Sequence, residues 1–173
     1  MNFRKANIND IDAIEVIYND IHAAEAAGEF TTGWIKGVYP TRDTALASLE
    51  RDDLFVMEDE GEVRGAAVIN QIQVDVYENA PWKHEADDSE VCVIHALTIS
   101  PGFKGKGYGK AFVRFYEKYA VENGMPELRI DTNITNLAAR GLYRSLGFEE
   151  ISVEETVFNG IPGIRLIMLE KHL

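Results

Sequence analysis

The order of apolar patterns along the chain most constrains its fold. Apolar residues recur at helical spacing in some segments, such as residues 8–24, and form short continuous runs in others, such as 54–57 and 128–132. The predicted order is a strand, two helices, three strands, a helix, a strand, a helix and two strands. Helices that interrupt strands in this way predict an α/β chain with a central mixed, twisted sheet and about four flanking helices.

Local signals set the predicted boundaries. Asn7 is a plausible N-cap for the first helix, and Asp10 follows three residues later. Tight turns are predicted at residues 59–61 and at Asn159-Gly160, each joining two strands as a hairpin. One apolar face is predicted for the first helix, made by Ile8, Ile11, Ile14, Ile17, Tyr18 and Ile21. The remaining helices are predicted at about 41–51, 107–123 and 136–146, and the later strands at 63–74, 90–99, 148–158 and 164–170.

Composition excludes several classes of protein. The 173 residues have ordinary globular composition and no linker, which predicts one domain over residues 1–173. A net charge of −12 argues against nucleic acid or anionic membrane partners. No apolar run is long enough for a membrane span or signal peptide, and the lone Cys92 cannot form an intrachain disulfide. These features predict a cytoplasmic protein; they leave open whether it is a homodimer.

A glycine-rich turn at residues 103–110 lies between a predicted strand and a predicted helix. Glycines allow close backbone approach to a ligand, and a helix start offers unpaired N–H donors to an anion. Three lysines add positive charge to this one place. The turn therefore predicts a pyrophosphate site, although its spacing is neither that of a P-loop nor G-x-G-x-x-G. A tight connection without a ligand is the alternative.

Two motifs carry a family resemblance. Residues 97–109 resemble the acetyl-CoA-binding motif of the GNAT superfamily, Arg/Gln-x-x-Gly-x-Gly/Ala, with Lys104 at the Arg/Gln place and Gly107 and Gly109 at the small positions. Residues 136–148 resemble the second family motif through Asn136, Ala139, Leu142-Tyr143 and Gly147-Phe148. The resemblance is strong over residues 90–148. It implies a GNAT fold and an N-acetyltransferase that uses acetyl-CoA as co-substrate.

The resemblance also implies which residues bind acetyl-CoA. Backbone amides of the glycine-rich turn would bind the pyrophosphate, and the strand before it and the asparagine of the second motif would bind the pantetheine arm. The implied cofactor-binding residues are Leu97, Thr98, Ile99, Lys104, Gly105, Lys106, Gly107, Tyr108, Gly109, Lys110, Asn136, Ala139 and Tyr143. Asn133 is expected to brace the edge of the neighbouring strand.

Tyr143 and His95 are the predicted catalytic residues. Tyr143 follows Asn136 by two helical turns, and the family places such a tyrosine hydroxyl at the CoA sulfur as a general acid. His95 resembles the histidine of arylalkylamine N-acetyltransferases that deprotonates the amine through water, a role that suits histidine side chains because they generally titrate near neutral pH. Glu90 is the other candidate base. The alternatives are that Tyr143 only packs in the core and that His95 is a hydrogen-bonded residue with no catalytic role.

Strand alternation separates the candidate nucleophile from the candidate base. It predicts Val91, Val93, His95, Leu97 and Ile99 on one face, with Cys92 on the opposite face. A cysteine acyl-enzyme is therefore disfavoured, and direct attack of the amine on the thioester is predicted.

The acceptor is predicted to be a primary amine of a small molecule or peptide. Aromatic faces and carboxylates suit an ammonium group, which makes Trp34, Tyr39, Tyr77 and Trp82 candidate pocket walls and Asp75 and Glu78 candidate partners. No metal site is predicted, because the four histidines show no ligand spacing with Cys92. The alternatives are a non-catalytic acyl-CoA sensor of the same fold and, less well supported, another nucleotide-binding enzyme.

Overall fold

A computed structural model describes residues 1–173 of the protein. It contains four α-helices and seven strands in the predicted order. The helices are α1 (Ile11–Ala26), α2 (Arg42–Glu50), α3 (Tyr108–Glu122) and α4 (Leu137–Ser145). The strands are β1 (Asn2–Lys5), β2 (Leu54–Asp59), β3 (Glu62–Asn70), β4 (Val91–Ile99), β5 (Glu127–Asn133), β6 (Glu149–Phe158) and β7 (Ile161–His172).

The strands form one mixed sheet in the order β1-β2-β3-β4-β5-β7-β6. The β4–β5 pair is parallel, whereas β1–β2, β2–β3, β5–β7 and β6–β7 are antiparallel. The prediction of a mixed α/β sheet is confirmed. None of the four helices combines the length and apolar character needed to cross a bilayer.

The chain divides into two compact units. The first unit comprises Met1–Phe30, Trp34–Ile69 and His95–Phe115, and the second comprises Thr31–Gly33, Asn70–Ile94 and Tyr116–Leu173. The expectation of one domain over the whole chain stays a prediction.

In the first unit, α1 and α2 pack on β2 and β3. Ile14 and Tyr18 of α1, Ala45 of α2, Val56 of β2 and Val68 of β3 belong to one buried cluster. The cluster forms because apolar residues at helical spacing on α1 meet the alternate residues of two strands.

The start of α1 confirms the predicted cap and corrects the predicted face. The Asn7 side chain accepts from the Asn9 N–H, and Asp10 accepts from the Asn7 N–H, as a capping box requires. Residues 8–10 form a 3₁₀ turn, however, and Ile8 is 64 % exposed. Its three-residue period rotates Ile8 away from the apolar face that α1 continues, so the prediction for Ile8 was wrong.

Strand β3 ends earlier than predicted. The Asn70 side-chain oxygen accepts from the Ile72 N–H at 2.9 Å, a local turn that competes with the strand ladder and ends it. Both predicted hairpins are confirmed. Glu60-Gly61 and Asn159-Gly160 have positive φ angles at both central residues, which matches a tight two-residue turn.

The second unit has its own core around the start of β4, β7 and the segment before β4. Tyr77, Val91, Val93, Leu166 and Met168 form its buried cluster. In the antiparallel β5–β7 pair, Glu127 lies opposite His172 and Arg129 opposite Glu170, so each pair of side chains shares a face.

Candidate functional site

The glycine-rich turn opens α3 in the first unit, as predicted. Gly105 and Gly107 have φ angles of +77° and +86°, and no atom lies within 4 Å of the place a Cβ would occupy at either residue. The Gly107 carbonyl accepts from the Ala111 N–H at 2.9 Å, so helical pairing begins there and the amides of residues 108–110 have no acceptor within the helix. An open, left-handed turn followed by helix N–H groups fits a diphosphate.

Lys104 is directed to the end of α1. Its ammonium donates to the Glu29 carbonyl at 3.1 Å and lies 4.3 Å from the centre of the Phe30 ring. The carbonyl follows a Schellman motif, in which the Gly28 N–H reaches Glu25 and the Glu29 N–H reaches Ala24. Lys104 therefore contacts the segment that follows α1.

Tyr108 anchors the first turn of α3. Its side chain is buried, its ring lies 5.0 Å from the Phe103 ring, and its hydroxyl donates to Asp59 at 2.5 Å. The hydrogen bond to Asp59 raises the pKa of Tyr108 and lowers that of Asp59. No local signal in the sequence indicates this long-range partner at the end of β2.

Strand β4 departs from regular alternation. Ala96 has a φ angle of +48°, in the left-handed region, in the middle of the strand. A residue in this conformation interrupts the two-residue period of a strand. The prediction that His95, Leu97 and Ile99 share one face assumed regular alternation, which β4 does not have. His95 is half-buried, and Thr98 is buried with its hydroxyl donating to the Ala66 carbonyl at 3.0 Å.

Helix α4 carries the second motif in the second unit. Asn136 is its N-cap, and its side-chain oxygen accepts from the Ala139 N–H at 3.2 Å. Tyr143 is buried, and its ring centre lies 5.9 Å from that of Phe148. Burial raises the pKa of Tyr143, and the nearby charge of Asp131 adds to the shift. The phenol therefore keeps its proton through neutral pH, as a general acid must.

Tyr77 and Trp82, predicted as pocket walls, pack in the second unit. The Tyr77 hydroxyl donates to Asp131 at 2.9 Å, and burial followed by the Asp131 charge raises its pKa well above the usual value. The Trp82 indole N–H donates to the Tyr77 carbonyl at 2.9 Å, and the Arg129 guanidinium lies 4.3 Å from its ring centre. These contacts explain the positions of both side chains without a ligand.

The carboxylates predicted near the acceptor are exposed. Asp75 and Glu78 lie in a 3₁₀ turn, and Glu90 accepts from the Asp87 N–H at 3.1 Å in a capping box. This cap gives Glu90 a structural partner.

Trp34 and Tyr39 lie together in the first unit, with ring centres 5.9 Å apart and near-perpendicular planes. A cavity of about 250 Å³ lies between α1 and the start of α2 in the same unit. His22 lines it and is 5 % exposed; its Nε2 lies 3.0 Å from the Pro40 carbonyl, and its Nδ1 has no partner. Sequence reasoning missed this cavity. Its lining residues are Glu15, Tyr18, Asn19, His22, Lys36, Gly37, Pro40, Thr41, Arg42 and Asp43.

Asn133 ends β5 and meets the short segment Thr31–Gly33 of the second unit. A Cβ at Gly33 would lie 2.3 Å from the Asn133 side-chain nitrogen, and the φ angle of +75° at Gly33 also favours glycine there. The Asn133 side-chain oxygen accepts from the Thr135 N–H at 3.0 Å, and Thr31 donates to the Thr135 carbonyl at 2.9 Å. The bracing role expected for Asn133 stays a prediction.

The chain belongs to the GNAT acetyltransferase family, whose model matches residues 19–148. The match confirms the family resemblance of the two motifs. An uncharacterized N-acetyltransferase of Methanocaldococcus jannaschii is 28 % identical over 108 residues, which cover 62 % of this chain and 44 % of that protein. The chain spans between 24 % and 44 % of the lengths of three such relatives.

Solved structures share the fold. A GNAT-family acetyltransferase from Streptococcus agalactiae superposes with a TM-score of 0.81 at 21 % identity, covering 99 % of this chain and 95 % of that one. The structure of yncA from Salmonella typhimurium with its cofactor acetyl-CoA has a TM-score of 0.71 at 21 % identity, covering 100 % and 94 %.

Proposed function

We propose that the protein is an N-acetyltransferase that moves the acetyl group of acetyl-CoA to a primary amine. The observation that carries the proposal is the open, left-handed turn at Gly105 and Gly107 at the N-terminus of α3. The family match and the neighbour with acetyl-CoA support the same reading.

The first unit supplies diphosphate recognition. Within residues 104–110, the Lys104 and Lys106 amides already donate to the Pro101 and Phe103 carbonyls. The amides of residues 108–110 therefore hold the pyrophosphate by charge-assisted hydrogen bonds, which the helix dipole strengthens. Lys110 is exposed beside these amides and adds positive charge. When bound, acetyl-CoA supplies an acetyl group activated as a thioester. Backbone groups of Leu97, Thr98 and Ile99 orient the pantetheine arm.

His95 is the proposed proton acceptor. An amine attacks a thioester only when it is neutral, so a base must remove its proton, here through a water molecule. An imidazole suits this role because it titrates near neutral pH. Glu90 is the weaker candidate, since its carboxylate caps a 3₁₀ turn.

Tyr143 is the proposed proton donor to the departing thiolate. Its raised pKa keeps the hydroxyl protonated, and its packing on Phe148 fixes the ring. No covalent enzyme intermediate is needed, and burial raises the pKa of the Cys92 thiol to about 12, which removes the thiolate that an acyl-enzyme would require.

The acceptor is a cationic small molecule or a peptide amine. Trp34 and Tyr39 present two aromatic faces at right angles, which suit an ammonium group. The net charge of −12 favours a cation over an anion. Tyr77 and Trp82 are weaker candidates because other side chains and backbone groups already occupy their polar atoms. A cytoplasmic location and a homodimer stay predictions.

A thiol-release screen tests the proposal. The purified protein is incubated with acetyl-CoA and with polyamines, aminoglycosides, arylalkylamines, amino acids or peptides, and free CoA is measured. We expect release with at least one amine and none without an amine. Acetyl-CoA binding with no release for any amine would favour the acyl-CoA sensor, and no binding by calorimetry would overturn both functions.

A further inference from the structure

Two histidines and a glutamate that are distant in sequence meet in the second unit. One ligand atom from each of His84, Glu127 and His172 lies within 4.8 Å of the others. The His172 Nδ1 is 3.0 Å from Glu127 Oε2, and the His84 and His172 rings stack with centres 4.9 Å apart. Two imidazole nitrogens and a carboxylate oxygen form a donor set that Zn²⁺ favours.

One oxygen of the buried carboxylate has no hydrogen-bond partner. Glu127 is only 1 % exposed, and its second oxygen, Oε1, is buried with no hydrogen-bond partner. Burying a carboxylate that has an unpaired oxygen carries a desolvation penalty, and a cation bound to the group would lower it.

The local charge also favours a cation. Two carboxylates, Glu127 and Glu170, are buried here against one buried guanidinium, that of Arg129. Both carboxylates act on Arg129 electrostatically, and one oxygen of Glu170 is also buried without a partner. The buried groups therefore sum to one negative charge, which favours a bound cation.

Each ligand position is held by backbone contacts. Glu127 and His172 are opposite one another in the β5–β7 register, and the Leu173 N–H donates to the Pro126 carbonyl at 2.9 Å beside them. Next to His84, the Lys83 N–H donates to Glu170 at 2.8 Å, and Arg129 donates to the His84 carbonyl at 3.2 Å. A site supported in this way needs little reorganisation to bind.

We propose that His84, Glu127 and His172 form a zinc site that ties the segment before β4 to strands β5 and β7. Ligand atoms of a tetrahedral zinc ion lie about 3.4 Å apart, because each bond is about 2.1 Å, so the three side chains converge slightly on binding. The ion takes the place of the proton between His172 and Glu127, and water completes its coordination. The site is independent of acetyl transfer.

Zinc titration of the full chain without a histidine tag tests the site. After removal of metal by a chelator, calorimetry with Zn²⁺ alone should give one ion per chain, and thermal unfolding should shift upward with Zn²⁺. His84→Ala and His172→Ala should each weaken binding at least tenfold. Glu85→Gln removes an exposed carboxylate beside His84 and should bind Zn²⁺ as the parent does.

Histidine side-chain NMR locates the ion. Zinc should shift the resonances of His84 and His172 and leave those of His22 and His95 in place. Because His84 is exposed, its substitution should leave the fold intact. Together with the NMR shifts, this distinguishes the loss of a zinc ligand from misfolding. Absence of binding, or equal affinity in the parent and either histidine variant, would overturn the proposal.

Discussion

Gly65 faces the Thr98 backbone so closely that a Cβ at Gly65 would lie 2.8 Å from the Thr98 carbonyl oxygen. The same Cβ would lie 2.7 Å from the Ile99 Cδ1 atom. Backbone cannot withdraw as a flexible side chain can, so the absence of a side chain at position 65 fixes how near β3 lies to the last residues of β4 in the first unit.

Gly65→Ala should therefore destabilise the protein by about 1–3 kcal/mol, as overpacked interior positions do. Gly141→Ala is the matched control, because this helical glycine has no atom within 4 Å of its added Cβ. It should stabilise by about 0.5–1 kcal/mol through helix propensity. Denaturant unfolding measures both; equal stability of the two variants would contradict the close approach.

Tyr143→Phe should lower kcat at least tenfold, because general acid catalysis typically increases the rate by about a hundredfold or more. Phenylalanine preserves the packing on Phe148, so stability and acetyl-CoA affinity should change little. Because the Tyr143 pKa is raised, deprotonation of this phenol should not reduce the parent rate below pH 9. Thiol release against pH measures both effects, and an unchanged kcat would remove Tyr143 from the mechanism.

His95→Ala should flatten the rise of kcat/KM with pH that a neutral base produces. Glu90→Gln is the companion variant, since Glu90 is the other candidate base and its side chain is exposed. If the Glu90 variant loses the rise and the His95 variant keeps it, the roles are reversed. Superimposable profiles for parent and His95 variant would exclude His95 as the base.

Gly107→Ala should raise the KM for acetyl-CoA several-fold, because an alanine at a φ angle of +86° costs about 1 kcal/mol or more and displaces the turn. Gly102→Ala is the control: that glycine lies in the same loop, outside the left-handed region, with open space around it. It should leave KM unchanged. Initial rates at varied acetyl-CoA concentration give the KM of the parent and of both variants. Equal KM values for all three would argue against a role for the turn conformation.

Asp10→Asn should lower the unfolding midpoint at neutral pH. Arg4 donates to both Asp10 oxygens, at 2.7 and 2.8 Å, and this pairing lowers the pKa of Asp10. A lowered folded-state pKa contributes stability above the unfolded value of about 3.9 and loses it as pH falls through the folded value. The parent midpoint should therefore decline toward the variant's in acid; parallel curves from pH 7 to 2 would contradict this.

Patterns of local origin were predictable from the sequence. The capping box at Asn7 and Asp10 and the turn at Asn159-Gly160 depend on neighbouring residues alone, and both are present. The two family motifs likewise fall at the start of α3 and along α4, where strand–turn–helix order places them.

Features that depend on long-range pairing were not predictable. The Ala96 conformation breaks an alternation that the residue types favour, and no local signal marks it. His84, Glu127 and His172 come together only through the β5–β7 register and the docking of residues 83–84. Spacing along the chain therefore gave no sign of this cluster.

The hydrogen bond from Lys104 to the end of α1 changes how substitutions at this position will act. A side chain that already donates to the end of a helix adds little to phosphate affinity. Its removal first leaves the Glu29 carbonyl without this hydrogen bond. We therefore expect Lys104, at the position that holds Arg or Gln in the family motif, to support the end of α1 in this chain. Its loss should be visible in heat stability before it is visible in catalysis.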